Sequence, residues 1–432
     1  FKIRNILLVY LSSFTGYLRV TNFSSSNPIF FLISLIFSTT KFNKKIIDKY
    51  TVLFLIASLG SIVSLANGNS SLDQRFLMII TTVYLQLFLI ENSAFNSINI
   101  DKKLLQKLYR YAAYMFLILF ASTFSLNLFN FHCIFFKCRE FSKGMTFMTV
   151  EPSYVGLISI AFFSLSLLLD TKNNKRLKNI LLVTSVLATM LSRSILSLGV
   201  VMFLIGFSLI PYLKRTIYQL VVRLKLFQKT ITTLFFIFFS IFIFNYIDTG
   251  SSVLNEFTKI LTETEKGNLT SLNNLRLIAQ ASGVRLAFFF ASISSQSLNF
   301  FTGHGIFSSS SIFYDNILQV IENFNLGKSQ ETLLEILGRN SKPHTLFGFI
   351  FFTNGLLGLF FLFKREFINF GKVLFSIFDM SDSSNNGNQF KKYWFRILPL
   401  VILLYPSTNT DPFKFLCLYI YYFYLYGEFV NE

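Results

Sequence analysis

Four groups of polar residues in this chain have the types and spacing to do chemistry. Lys342-Pro343-His344-Thr345 stands directly before an apolar run that contains Asn354-Gly355-Leu356-Leu357-Gly358. His344 can serve as a general base or hydrogen-bond a phosphate near neutral pH, and Pro343 pre-organises entry into a helix. A single histidine at a membrane edge is as readily structural, but the chain has only three, His132, His304 and His344. Arg285, within Ser282 to Ala287, precedes an apolar stretch that ends at Phe301-Thr302-Gly303-His304-Gly305. Its planar, permanently charged fork suits a pyrophosphate better than a lysine does, and Arg276 is a supporting cation nine residues earlier. Gly303 and Gly305 would let backbone approach a ligand closely, or simply form a turn. Glu151-Pro152-Ser153-Tyr154 opens another apolar run, where Glu151 could be a base, orient a hydroxyl or cap a helix. Arg193, in the turn Leu191-Ser192-Arg193-Ser194, could bind an anion or anchor at lipid headgroups.

The elements that must position these groups follow from composition. Of 432 residues, 53% are hydrophobic, 18% aromatic and only 14% charged, with a mean hydropathy of +0.55. Soluble domains are nearer a quarter charged, so a water-soluble enzyme is disfavoured. Apolar runs of the roughly 18 to 20 residues needed to cross about 30 Å of hydrocarbon recur along the chain. Runs such as Thr233 to Phe244 are apolar on every face, which excludes the alternating pattern of a β-barrel. The expected fold is all-α: a polytopic membrane protein of about twelve helices, near residues 5–20, 24–40, 50–67, 75–92, 110–131, 152–170, 178–191, 194–211, 230–247, 345–363, 394–408 and 413–428. The first run is expected to be a retained span. Cys133, Cys138 and Cys417 form no zinc pattern, so no metal site is expected. Cys133 and Cys138 could be bonded to each other or free.

A net charge of +18 would point to nucleic acid in a soluble protein; here it reads as topology, and no nucleic acid partner is expected. With the N-terminus cytoplasmic, 24 of the 39 Lys and Arg fall in cytoplasmic segments and 14 outside, half of those in one long loop. Arg396 lies within a span. The expected organisation is nine helices over 1–247, a large external loop over 248–343, and three helices over 344–432 with a cytoplasmic linker near 364–393. All four polar groups then gather at the external membrane edge.

In this order and placement, the Arg285 segment leading to Gly303-His304-Gly305, His344 ahead of a glycine-containing span, the Ser192-Arg193 turn and Glu151-Pro152-Ser153 resemble the O-antigen polymerase and ligase superfamily. The likeness covers roughly residues 150 to 360; Phe288 to Phe290 stand where that family often has Trp. The Glu151 element leans the resemblance toward the polymerases of the Wzy type. It implies a GT-C-like architecture in the bacterial inner membrane with a periplasmic active face. It also implies a glycosyltransferase without cofactor or metal, moving a growing glycan from undecaprenyl pyrophosphate onto the terminal sugar of a lipid-linked repeat unit. By the same resemblance Arg285, His344 and Glu151 would be catalytic, and Arg193, Arg276, Arg285, Gly303 and Gly305 would bind the pyrophosphate. Membrane lipids and a chain-length regulator protein would be its other partners. A ligase of the same superfamily and a lipid-linked oligosaccharide flippase are the alternatives.

Overall fold

The computed structural model describes residues 2–15, 29–39, 41–67, 73–97, 102–128, 154–169, 171–192, 194, 196–209, 288–293, 299–306, 308, 310–324, 342–378, 389–407 and 410–429. These residues are helical with short connections, and no strand occurs among them. The helices are α1 (Lys2–Thr15), α2 (Ile29–Ser38), α3 (Lys44–Ala66), α4 (Gln74–Ser97), α5 (Lys102–Leu128), α6 (Val155–Leu168), α7 (Thr171–Leu191) and α8 (Leu196–Leu209). A helical segment at 288–293 follows, then the single turn α9 (Asn299–Thr302), α10 (Ser310–Phe324), α11 (Leu346–Phe378), α12 (Gln389–Leu404) and α13 (Pro412–Phe429). The run near 230–247 lies outside the described residues, as do Cys133, Cys138 and His132.

Among the described residues, α3, α4 and the Leu346–Lys372 part of α11 are long and apolar enough to cross a membrane; Ile29–Ser38, Val155–Leu168 and Leu196–Leu209 are shorter apolar helices. A membrane setting is supported further by outward apolar side chains. On α3, Phe54, Leu55, Leu59 and Ile62 are exposed, and on α11 Leu357 and Phe360 are too. Such a belt has a large cost in water and none in lipid.

Helix starts obey local chemistry. Asn43 caps α3, its Oδ1 accepting from the Lys45 amide at 2.9 Å, and Asp73 caps α4 by accepting from the amides of Arg75 and Phe76 at 3.0 and 3.1 Å. The core is built around α13, which contacts α1, α4, α6 and α12 and is buried from Pro412 to Leu425. A helix buried on all sides needs its tyrosine hydroxyls and its polar atoms satisfied inside the protein. Tyr421 donates to Glu366 at 3.3 Å and Tyr426 to Glu91 at 2.9 Å. Trp394, the only tryptophan, stacks on Phe163 with ring centres 4.4 Å apart and donates to Ser164 Oγ at 2.8 Å, locking α12 to α6.

One departure from the sequence reading and one helical segment of the expected loop position the site. The helix expected at 345–363 continues to Phe378, into the region assigned to a linker, and it is broken at Gly355 (φ +62°, ψ −165°) and Phe363. Within the expected external loop, the apolar stretch after Arg285 is helical over 288–293. Phe288 and Ser292 of that segment are buried, and a Cβ on Gly348 of α11 would strike Ser292.

Candidate functional site

The Gly355 break frees the carbonyls of Phe352 and Thr353 from the helical ladder, and in an apolar setting each must find a donor. They find them in the loop after α9. The His304 amide donates to Phe352 O at 2.8 Å and the Gly305 amide to Thr353 O at 2.9 Å. On its other side the same loop meets α3, where Ser64 Oγ donates to His304 O at 3.1 Å and the Ile306 amide donates to Ser61 Oγ at 2.8 Å. Backbone can approach this closely only without side chains. Gly303 and Gly305 have φ of +72° and +79°, and a Cβ on either would collide with α11 or α3 backbone. Asn354 completes the joint, its Nδ2 donating to Leu53 O at 2.8 Å while its Oδ1 accepts from Tyr84 and Thr353.

This joint and the Lys342-Pro343-His344-Thr345 segment share one aromatic layer. The His344 ring lies 4.2 Å from Phe288, Phe288 lies 5.6 Å from Phe313, Phe313 lies 5.3 Å from Phe352, and Phe352 lies 4.7 Å from the ring of His304. The two histidines thus stand at opposite ends of a continuous chain of tilted and edge-to-face ring contacts. His304 is buried, its Nδ1 3.3 Å from Asn299 Nδ2, and burial pushes its pKa down to about 4, so it is neutral near pH 7. His344 is only partly buried. Thr345 turns the chain into α11, its Oγ1 accepting from the Gly348 amide at 3.0 Å.

Lys342, two residues before His344, is coupled to two further cations. Lys342 is partly buried, and burial together with the charge of Arg75 brings its pKa down to about 8. Lys414, fully buried at the start of α13, donates to Ser407 O at 3.4 Å and feels the charges of Asp411 and Lys342. Asp411 is itself fully buried and accepts from the Phe413 amide at 2.9 Å. Asp73 sits nearby in sequence to Arg75. Burial raises its carboxyl, but hydrogen bonds from Ser310, Phe76 and Arg75 outweigh this and hold it below its ordinary value. The 2.6 Å bond from Ser310 Oγ to Asp73 also fastens α10 to the start of α4.

Arg285, Glu151, Arg193 and Arg276 lie outside the described residues. The described residues that follow two of them do meet. Gly156, at the start of α6, packs so closely on Ser197 of α8 and Tyr405, just past the end of α12, that a Cβ would strike both, and Ser197 Oγ is 3.1 Å from the Tyr405 hydroxyl. Tyr405 leads through Ser407 to Lys414, so the starts of α6, α8, α11 and α13 face one end of the bundle. Lys342, Arg75, Lys414 and Asp411 were not chosen as site residues from sequence. The available signal was a lysine and an aspartate at the edge of the otherwise charge-free run Pro412 to Tyr426.

No family model, curated protein or solved structure matches this chain. The arrangement itself offers cations in a low-dielectric setting, suited to a multiply charged anion, and a histidine two residues from Lys342 suited to accept a proton. Among the described residues no cluster of three or more His, Cys, Asp or Glu could hold a metal ion.

Proposed function

We propose that this chain is a lipid-linked glycan polymerase of about twelve membrane spans, acting on undecaprenyl-pyrophosphate-linked oligosaccharide at the external face of a bacterial inner membrane. The observation that carries the reading is that Lys342, two residues before His344, feels the charge of Arg75 and shares its field with the buried Lys414 at one bundle end. The distribution of Lys and Arg along the sequence assigns that end to the outside. In the reaction, the terminal sugar hydroxyl of one lipid-linked unit attacks the anomeric carbon of the growing chain. The new C–O bond forms as the bond to pyrophosphate breaks, and the electron pair leaves with the pyrophosphate. Developing charge on that leaving group is stabilised by fixed cations, the role for Lys342, Lys414 and, from the resemblance, Arg285, Arg193 and Arg276. The hydroxyl proton passes to His344 or Glu151. Gly303 and Gly305, docked against α3 and α11, would hold His304 and the aromatic layer behind His344.

The experiment is surface-polysaccharide length, read by gel, in a strain lacking the gene and complemented with wild type, His344→Ala, Lys342→Gln or Arg285→Ala. The null strain is expected to carry lipid core with a single repeat unit. Wild type restores the ladder, and stably inserted variants lose it. Bare core with accumulated lipid-linked polymer would make the chain a ligase, and unpolymerised units held on the cytoplasmic side would make it a flippase.

A further inference from the structure

The bundle end opposite His344 holds a cavity of about 790 Å3, walled by α3, α4, α11, α12 and α13. Two carboxylates line it, and both are already matched. Glu91 accepts from Lys49 at 2.9 Å and also from Tyr50 and Tyr426, while Glu366 has the Arg365 guanidinium at 3.7 Å and the Tyr421 hydroxyl at 3.3 Å. Five further cations face the same space: Lys45, Lys364, Lys372, Lys392 and Arg396. Among the described residues none of the five pairs with a carboxylate. The cavity therefore carries a surplus of positive charge partly walled by apolar side chains, where like charges repel more than they would in water. Arg365 adds a second sign, because its buried Nε has no hydrogen-bond partner among the described residues. A donor of this kind is normally satisfied when its site is filled.

The rest of the wall is apolar. Phe361 and Ile368 line the cavity and are also 40% and 47% exposed, so the basic floor runs out onto the apolar flank of α11. A soluble anion would use the floor alone. An amphipathic anion uses both.

We propose that this cavity binds an anionic phospholipid, its phosphodiester headgroup among Lys45, Lys372, Lys392 and Arg396 and an acyl chain along Phe361 and Ile368. The site is separate from the cluster at His344 and does not depend on the reaction assigned to the chain. Basic pockets between membrane helices are suited to such headgroups, each cation near an anionic lipid contributing about a fivefold factor in affinity.

The test is a titration of the purified full chain, in neutral detergent, with a fluorescent short-chain phosphatidylglycerol. Unlabelled phosphatidylglycerol should compete, while phosphatidylcholine and glycerol 3-phosphate at equal concentration should not. The triple variant Lys372→Gln/Lys392→Gln/Arg396→Gln should bind on the order of 100-fold more weakly, and Lys107→Gln, on an exposed position of α5 away from the cavity, should bind as wild type. If the triple variant does not fold, Lys392→Gln and Arg396→Gln singly should each lose about fivefold. Wild-type affinity in the folded variants, or competition by phosphatidylcholine as strong as by phosphatidylglycerol, overturns the proposal. Equal competition by glycerol 3-phosphate also overturns it, since that marks a site for a soluble phosphate and not for a lipid.

Discussion

Replacing Gly305 by alanine tests whether the glycine loop is a packing joint. Gly305 adopts φ +79°, a left-handed conformation that costs an L-residue about 1–2 kcal/mol. The new Cβ would also fall against Ser61 N, Ser61 Oγ and Ala57 O of α3, two of them backbone atoms that cannot swing aside. Overpacking of this sort costs about 1–3 kcal/mol. The combined loss is then about 2–5 kcal/mol, and relief by withdrawal of the loop would break the 2.8 Å bond from Ile306 N to Ser61 Oγ. Equilibrium unfolding in mixed micelles, followed by the fluorescence of the fully buried Trp394, reads this directly. Gly206→Ala is the control, because its Cβ would meet nothing within 4 Å, and it should stay within about 1 kcal/mol of wild type. A Gly305→Ala protein within about 0.5 kcal/mol of wild type would refute the packing argument.

Two further outcomes follow from the same joint. Folded His304 has a pKa of about 4 against an ordinary 6.5, so the unfolded chain takes up a proton first as pH falls. The stability it contributes is fully present above pH 6.5 and is lost as pH falls toward 4; His304→Gln should flatten the change in unfolding free energy over that window, and an unchanged slope would assign it to other groups. Tyr84→Phe removes a hydroxyl that lies 2.7 Å from Thr353 Oγ1 and donates to Asn354, and should cost about 1–2 kcal/mol in the same unfolding assay, a loss under about 0.5 kcal/mol counting against the network.

The positions of the helices were legible in the sequence because a long apolar run is a local property. Eleven of the expected runs contain described helix, from Lys2–Thr15 to Pro412–Phe429, with ends displaced by a few residues in most and by fifteen at Phe378. That last difference arises because Lys364, Arg365 and Glu366 looked like the end of a span. In the folded chain the helix continues through them, with Glu366 buried and satisfied by Tyr421 and Arg365. His344 was legible as a rare residue type at the head of an apolar run, and the Gly303-His304-Gly305 segment as an unusual spacing. The break at Gly355 was not legible, since a glycine inside an apolar helix is commonplace. It exists only because a loop fifty residues away supplies two amides to the freed carbonyls. Lys342 and Lys414 are likewise 72 positions apart in the chain, and nothing local says that their charges meet. Hydrophobic length is a one-dimensional quantity, so the sequence by itself determined an apolar, basic chain that is helical with short connections over its described residues. Burial and charge proximity are three-dimensional quantities. The ring contacts from His344 through three phenylalanines to His304, the cations coupled to Lys342 and the basic cavity at the opposite end were decided only when the helices packed.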